Sequence, residues 1–240
     1  MQDMNAVLVI SDNKEMVVFL RKTVNEKNIA NAIFSYACSP KSEVNDLEWI
    51  REIDVKEEKE SIAQEFDLVL SLHCKQLFPE YLVRKSRCIN IHPGLNPYNR
   101  GFYPQVFSII NDLPCGATIH EIDEKVDNGP VIAQREVDIN TLDTSLTAYQ
   151  RITEAEKKLI VENIENLVSG SYETYSTPEG NLNLKSDFEK LCEIDLDDAN
   201  TFENHIKKLR ALTHGDYKNA YFKDKNGKKV YIRIDLCRDE

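Results

Sequence analysis

Two short runs, AVLVI at residues 6–10 and DLVLSL at residues 67–72, do most to limit what this chain can fold into. Both are continuously apolar rather than alternating, so each reads as a strand buried on both faces, the habit of parallel sheets held between helices. Helical patterns sit where that architecture needs them. Ser11, Asp12 and Asn13 offer caps after the first run, and Val17, Leu20 and Val24 follow at helical spacing. Residues 33–38 and 88–91 read as further strands, with a charged connection and a helix over residues 46–65 and a short helix over residues 78–83. Pro104 can open another helix, where its missing N–H is no loss. The expected class is α/β, a mostly parallel, doubly wound sheet.

Further on, residues 117–122 and 131–139 read as strands flanking a polar loop, DEKVDNG at residues 123–129. Asp143 or Thr144 caps a long helix that ends at Gly170. Residues 171–185, rich in Ser, Thr, Pro, Gly and Asn, read as a long excursion. Phe202, Ile206 and Leu209 mark a last helix, and residues 220–222 and 230–234 flank Asn226-Gly227 as a β-hairpin. Two units are expected: a catalytic domain over residues 1–190 and an appendage over residues 191–240. The second is too small for an independent core. It packs either on the main domain or on a second subunit, and the apolar Val230, Ile232 and Ile234 suit both.

A hydrophobic content of 41% supports a core in a chain of 240 residues, and the net charge of −11 argues against binding nucleic acid or an anionic membrane through bulk charge. A local basic pocket for a small phosphorylated ligand remains compatible with it. No apolar run is long enough for a bilayer, and residues 6–10 lack signal-peptide form, so a cytoplasmic protein is expected. The six cysteines (Cys38, Cys74, Cys88, Cys115, Cys192, Cys237) form no Cys-x-x-Cys pair. Neither zinc nor redox chemistry is indicated, and no metal is expected.

The chemistry gathers at residues 90–105, NIHPGLNPYNRGFYPQ. Asn90 and His92 stand two apart at a strand end, so their side chains share a face. In open α/β sheets ligands bind beyond such carboxyl ends. A later Asp127, on the Gly-containing loop, can approach a histidine and fix its tautomer. A strand-end His is also a common structural residue, and an Asp before Asn-Gly a common turn former. Together the three suit acyl transfer: His92 accepts a proton from an attacking amine, Asn90 donates to the oxyanion, and Asp127 orients His92. With no Ser or Cys nucleophile beside the His, direct transfer is more natural than a covalent acyl-enzyme.

These motifs resemble those of the formyltransferases that use 10-formyltetrahydrofolate. The family pattern is Asn-x-His at a strand end, His-Pro-x-x-x-Pro-x-x-Arg-Gly, and a later Asp-x-Gly. Here it reads Asn90-Ile91-His92, His92-Pro93 through Pro97 to Arg100-Gly101, and Asp127-Asn128-Gly129. The stretch HPGLNPYNRGFYPQVFSI and the C-terminal LRALTHGDYKNAYF are similar to the branch that formylates dTDP-linked amino-dideoxy sugars. The resemblance implies a Rossmann-like catalytic domain, no metal, a homodimer formed through the C-terminal helix and hairpin, and a role in O-antigen or lipopolysaccharide biosynthesis. The implied acceptor is the 4-amino group of dTDP-4-amino-4,6-dideoxyglucose. Phe102 departs from the Trp common in relatives, which puts a base-stacking role there in question.

The resemblance also implies two ligand pockets. Folate would meet mainly main chain at Leu72, His73 and Cys74 and along the loop from Ile122 and Asp123 to Asp127. Asn13, at a helix N-terminus that favours anions, and Lys75 would meet the pyrophosphate. Asn96, Tyr98, Arg100 and Gln105 belong to the acceptor side, where Arg100 contacts the sugar or holds the loop. Phe102, Tyr103 and Tyr221 offer flat surfaces for thymine, and each also suits a core or an interface. Other readings are another amine acceptor (a dTDP-3-amino sugar, transfer RNA or glycinamide ribonucleotide), a non-catalytic nucleotide-sugar binding module, or a formyl-folate hydrolase.

Overall fold

A computed structural model describes residues 4–239. In chain order the elements are β1 (Asn5–Ser11), α1 (Lys14–Lys27), β2 (Ala32–Cys38), β3 (Arg51–Glu52), α2 (Lys59–Glu65), β4 (Leu68–Leu72), α3 (Glu80–Lys85), β5 (Arg87–His92), β6 (Arg100–Gly101), α4 (Pro104–Asn111), β7 (Cys115–Glu121), β8 (Val131–Val137), α5 (Ser145–Ser169), β9 (Leu182–Asn183), α6 (Lys185–Cys192), α7 (Phe202–Leu212), β10 (Tyr221–Lys223) and β11 (Lys229–Tyr231). Seven strands form the main sheet in the order β3-β2-β1-β4-β5-β7-β8. The first five are parallel, while β7 runs antiparallel to both β5 and β8.

The two apolar runs lie side by side at the centre, β1 against β4, and Val7 to Ile10 and Leu68 to Leu70 are fully buried. Alternate residues face opposite layers. Val7, Val9, Leu68 and Leu70 pack with α1 and the long α5, whereas Leu8, Ile10 and Val69 pack with Ile62 and Leu82 of α2 and α3. Burying such a side chain contributes roughly 1.5–3 kcal/mol, and here both faces of a strand gain it. Chain order departs to opposite sides at β1 and β4, so the sheet's switch point lies between their carboxyl ends.

The helix boundaries follow local chemistry. Asn13 caps α1 through Oδ1, which accepts the Met16 N–H at 3.2 Å, Pro104 opens α4, and Thr144 rather than Asp143 caps α5, which ends at Gly170 in the left-handed region (φ 74°). The segment expected to be an excursion up to residue 185 is tied down. Tyr175 bridges to Val131, and β9 pairs with β6, the Arg100-Gly101 of the motif loop. Helix α6 follows directly, where the sequence reading had no helix. It is short and half-exposed, so its apolar periodicity is faint, and it is held by Phe188 packed on Tyr103 (ring centroids 4.1 Å apart). Residues after 191 do not form a separate core. Ala211, Leu212 and Ala220 pack with Val106, Ile109 and Ala148 of the main domain. Among the described residues no helix is long and apolar enough to cross a membrane.

Candidate functional site

Strand β5 is buried between β4 and β7 and delivers Asn90 and His92 at its carboxyl end. The antiparallel β7 places His120 directly opposite Asn90, beside a register irregularity at Ile119/His120 that adjusts its aim. The loop after β7 brings in Asp127, in the left-handed region (φ 47°). Three chain segments thus meet, and their hydrogen bonds explain the arrangement. Asn90 Nδ2 donates to Asp127 Oδ1 at 2.9 Å and lies 3.3 Å from His120 Nε2. Asp127 Oδ2 accepts the Gly101 N–H at 3.1 Å, and the Asp127 carbonyl accepts from Asn96 Nδ2 at 2.9 Å. His120 Nδ1 is 2.7 Å from the Glu121 carbonyl, which makes Nδ1 the donor and leaves Nε2 to accept from Asn90.

His92 is 5% exposed. Its Nδ1 stands 3.7 Å from Asp127 Oδ2, and its Nε2 is buried with no hydrogen-bond partner in the protein. Burial pushes the imidazole down to about 4, and the Asp127 carboxylate only partly offsets this. His92 is therefore neutral at neutral pH, and with its proton toward Asp127 it presents a free Nε2 lone pair. Burial acts on Asp127 in the opposite sense, but His92, His120 and the Gly101 N–H together hold its carboxyl far below the usual range. Gly94 makes room for this ring, since a Cβ there would lie 2.4 Å from His92 Nε2.

Asn90, His92, His120 and Asp127 open into a cavity of about 480 Å³. This is of ordinary size for a small-ligand site, with several titratable groups converging on it. A larger cleft, about 810 Å³, lies at the β2–β3 edge, where the Arg21 guanidinium stacks 4.2 Å from the Trp49 ring, and no comparable set of reactive groups converges there.

Most of the residues expected from sequence gather at the first cavity. His73, Cys74, Lys75, Ile122 and Asp123 line it, as do Phe102, Tyr103 and Gln105. Leu72 is fully buried beneath, at the end of β4. The Cys74 thiol is pushed up to about 12 by burial and is no nucleophile. Asp123 shapes its loop by accepting from the Lys125 N–H and from Asn128 Nδ2. Lys75 is exposed, and its backbone N–H donates to Asp12 Oδ2 at 2.7 Å.

Others are placed behind or away from the cavity. Asn13 is occupied as the α1 cap and also donates to the Tyr149 hydroxyl at 3.0 Å. Asn96 is buried under the Asp127 loop, and Gln105, although it reaches the cavity, is buried and donates to Ser145 Oγ at 3.2 Å. Arg100 is 7% exposed, and its guanidinium donates to Asn128 Oδ1 and to the Gly180 carbonyl, so its observed contacts bind loop to loop. Tyr98 is half-exposed on the outer side of its loop. Tyr221 lies in the hairpin, bonded to Glu193. Neither of these tyrosines is among the residues lining the cavity.

Sequence reasoning missed His120, Tyr149 and Glu156. His120 had a signal, because alternation over residues 117–122 puts it on one face with Thr118, but only the antiparallel pairing with β5 reveals that this face meets Asn90. Tyr149 and Glu156 looked like residues of an ordinary amphipathic helix. Among the described residues no group of three His, Cys, Asp or Glu stands where it could hold a metal ion.

Residues 1–164 match the family model described as Formyl transferase, and residues 187–238 match the N-formyltransferase dimerization C-terminal domain. Over 196 residues the chain is 48% identical to a dTDP-4-amino-4,6-dideoxyglucose formyltransferase of Mycobacterium bovis, covering 81% of this chain and 84% of the relative. A solved sugar N-formyltransferase from Shewanella is 43% identical with a TM-score of 0.95, over 99% of this chain and all of that one. A solved 4-N formyltransferase from Francisella tularensis is 40% identical with a TM-score of 0.93, over 98% and 99% of the two chains.

Proposed function

The chain belongs to the formyl transferase family, and we propose that it transfers a formyl group from 10-formyltetrahydrofolate to the amino group of a dTDP-linked amino-dideoxy sugar. The acceptor in this reading is the 4-amino group of dTDP-4-amino-4,6-dideoxyglucose, and the formamido sugar is destined for O-antigen or a related surface polysaccharide. The observation that carries the chemistry is the buried, neutral His92, whose Nε2 lacks a partner while its Nδ1 faces Asp127. A transfer between two nitrogens needs such a base, because the attacking amine must lose a proton as its bond to the formyl carbon forms.

The steps balance without a covalent enzyme intermediate. The sugar amine attacks the formyl carbon, and the carbonyl oxygen becomes an oxyanion that the Asn90 amide stabilises. His92 Nε2 takes the amine proton, and Asp127 favours the resulting imidazolium. The carbon–N10 bond then breaks, and N10 leaves as the secondary amine of tetrahydrofolate with the proton that His92 held. A preorganised donor such as Asn90 lowers the barrier by about 3 kcal/mol.

The acceptor assignment is supported by the relatives' acceptors and by extended similarity beyond the catalytic motifs. Folate is read into the wall formed by the end of β4 and the loop from Ile122 to Asp127. The nucleotide lies toward Asn13, Lys75, Phe102 and Tyr103. Residues 191–240 serve a homodimer in this reading. The exposed Phe202, Val230 and Tyr231 of α7 and β11 provide apolar surface for it, and light scattering should return twice the chain mass.

The direct test is mass-spectrometric turnover with 10-formyltetrahydrofolate and a panel of dTDP-amino sugars, 3-amino and 4-amino, in gluco and galacto configurations. A single product heavier by one formyl group, from the 4-amino gluco sugar, is expected. Folate binding with no member formylated would remove the nucleotide-sugar assignment.

A further inference from the structure

Glu156 is completely buried in α5, and no step of the transfer uses it. Its carboxylate meets His73 Nε2 at 2.8 and 3.0 Å. A buried carboxylate is strongly disfavoured unless paired, and His73 supplies the pairing from a backbone in the left-handed region (φ 54°). The side chain thus turns inward from the end of β4, leaving its main chain at the cavity.

The other ring nitrogen faces a second pair of groups. His73 Nδ1 lies 3.3 Å from the Tyr149 hydroxyl and 3.4 Å from Asn13 Nδ2, while Asn13 Nδ2 donates to Tyr149 Oη at 3.0 Å. Burial alone would lower His73, but the Glu156 carboxylate outweighs it and raises the imidazole, with Glu15 adding to the effect. Burial raises the Glu156 carboxyl and His73 partly offsets this, so the 2.8 Å contact is taken as the ion pair, in which His73 donates from both nitrogens. Its Nδ1–H and the Asn13 amide then occupy both lone pairs of the Tyr149 oxygen. The tyrosine's own proton is then directed away from His73 and Asn13, and Tyr149 lines the cavity.

We propose that Glu156, through its ion pair with His73, is a positioning residue that makes the Tyr149 hydroxyl a hydrogen-bond donor to a diphosphate oxygen of the acceptor. This rests on the reading above that the acceptor is a nucleoside-diphosphate sugar. The device stands beside Asn13, which the reading above puts on the nucleotide's side, while the main chain at the end of β4 stays with folate. His73, Tyr149 and the N-terminus of α1 lie at the β1–β4 end, whereas the Ile122–Asp127 loop lies at the β5–β7 end, with His92 between them. A neutral donor beside a helix N-terminus suits an anionic oxygen.

The test compares Glu156→Gln, Tyr149→Phe and the double variant with the wild type. Calorimetry gives the affinity for dTDP, steady-state kinetics gives both KM values and kcat, and thermal melts record folding. Each single variant should weaken dTDP and raise the acceptor KM about tenfold, the share of one hydrogen bond to a charged group. The folate KM should move several-fold less. The double variant should lose no more than either single one, because both act through the same bond. Variants that bind dTDP like the wild type, that lose folate and acceptor alike, or whose losses multiply would overturn the proposal. So would a change confined to melting temperature. If Glu156→Gln does not fold, Tyr149→Phe, on a partly exposed ring, decides alone. A wild type that binds no dTDP removes the nucleotide-sugar reading and this proposal with it, an outcome distinct from wild type and variants binding equally.

Discussion

Asn90 and Asp127, 37 residues apart, are joined by a 2.9 Å hydrogen bond from Nδ2 to Oδ1. The amide proposed to meet the oxyanion and the carboxylate proposed to steady the base are therefore one unit. One Asn90 N–H is committed to Asp127. The other faces His120 Nε2 at 3.3 Å, a long contact that a developing oxyanion beside His120 could share. Asp127→Asn disturbs both arms, since the new amide keeps one acceptor oxygen, sets its NH2 against the donor of either Asn90 or Gly101, and no longer stabilises charged His92. The expected loss in kcat is about 10²–10⁴, measured as formyl transfer at saturating substrates. Near-normal turnover would take Asp127 out of the mechanism.

Gly94 provides a second check on His92 that leaves every reactive group in place. An alanine Cβ would stand 2.4 Å from Nε2 and 2.8 Å from Cδ2 of the ring, so the ring must swing away. Gly94→Ala should lower kcat by about 10²-fold, the scale of a misplaced catalytic group, while both ligands still bind. Unchanged kcat would mean that Nε2 does not need its present position.

The strands that frame this site were readable because burial on both faces leaves an uninterrupted apolar run, as in β1 and β4. Asn90, His92 and Asp127 were readable because a motif keeps them at fixed spacing. What the sequence hid depends on contacts across the fold. The pairing of β6 with β9 joins Arg100-Gly101 to residues that look like a loose excursion. His120 matters through its partner across the sheet. Glu156 falls on the apolar stripe of α5, four residues after Ile152, but its partner His73, 83 residues away, shows only in the fold. Arg100 stands at a motif position, but its contacts with Asn128 and Gly180, which no spacing rule connects to it, show only in the fold.

Arg100→Lys separates holding the loop from contacting the sugar. The observed guanidinium spans Asn128 Oδ1 and the Gly180 carbonyl at once, and a lysine ammonium cannot reproduce that fork. The variant should lose about 1–3 kcal/mol of stability in urea denaturation, with little change in acceptor KM once folded. The opposite pattern, full stability with a tenfold weaker acceptor, would make Arg100 a sugar contact.

The low affinity of His92 for protons gives a pH signature of definite sign. An ordinary imidazole base would lose activity as pH falls through about 6.5. His92, lowered to about 4 by burial, remains a free base through that range, so kcat/KM, corrected for the unprotonated fraction of the acceptor amine, should stay flat from neutrality to about pH 5 and fall only below it. Stability behaves differently. The unfolded chain takes up its proton near the ordinary value while the folded chain resists it, so the unfolded state binds more protons between these two pH values. Stability therefore declines as pH falls from about 6.5 toward 4, by on the order of 3 kcal/mol from this one group. Asp127, lowered in the fold, extends the loss further into acid. Replacing His92 with Asn should remove the first part of that decline along with the activity. An activity profile that breaks near pH 6.5 would show that His92 is solvated during turnover, and that the burial seen here is not the state that reacts.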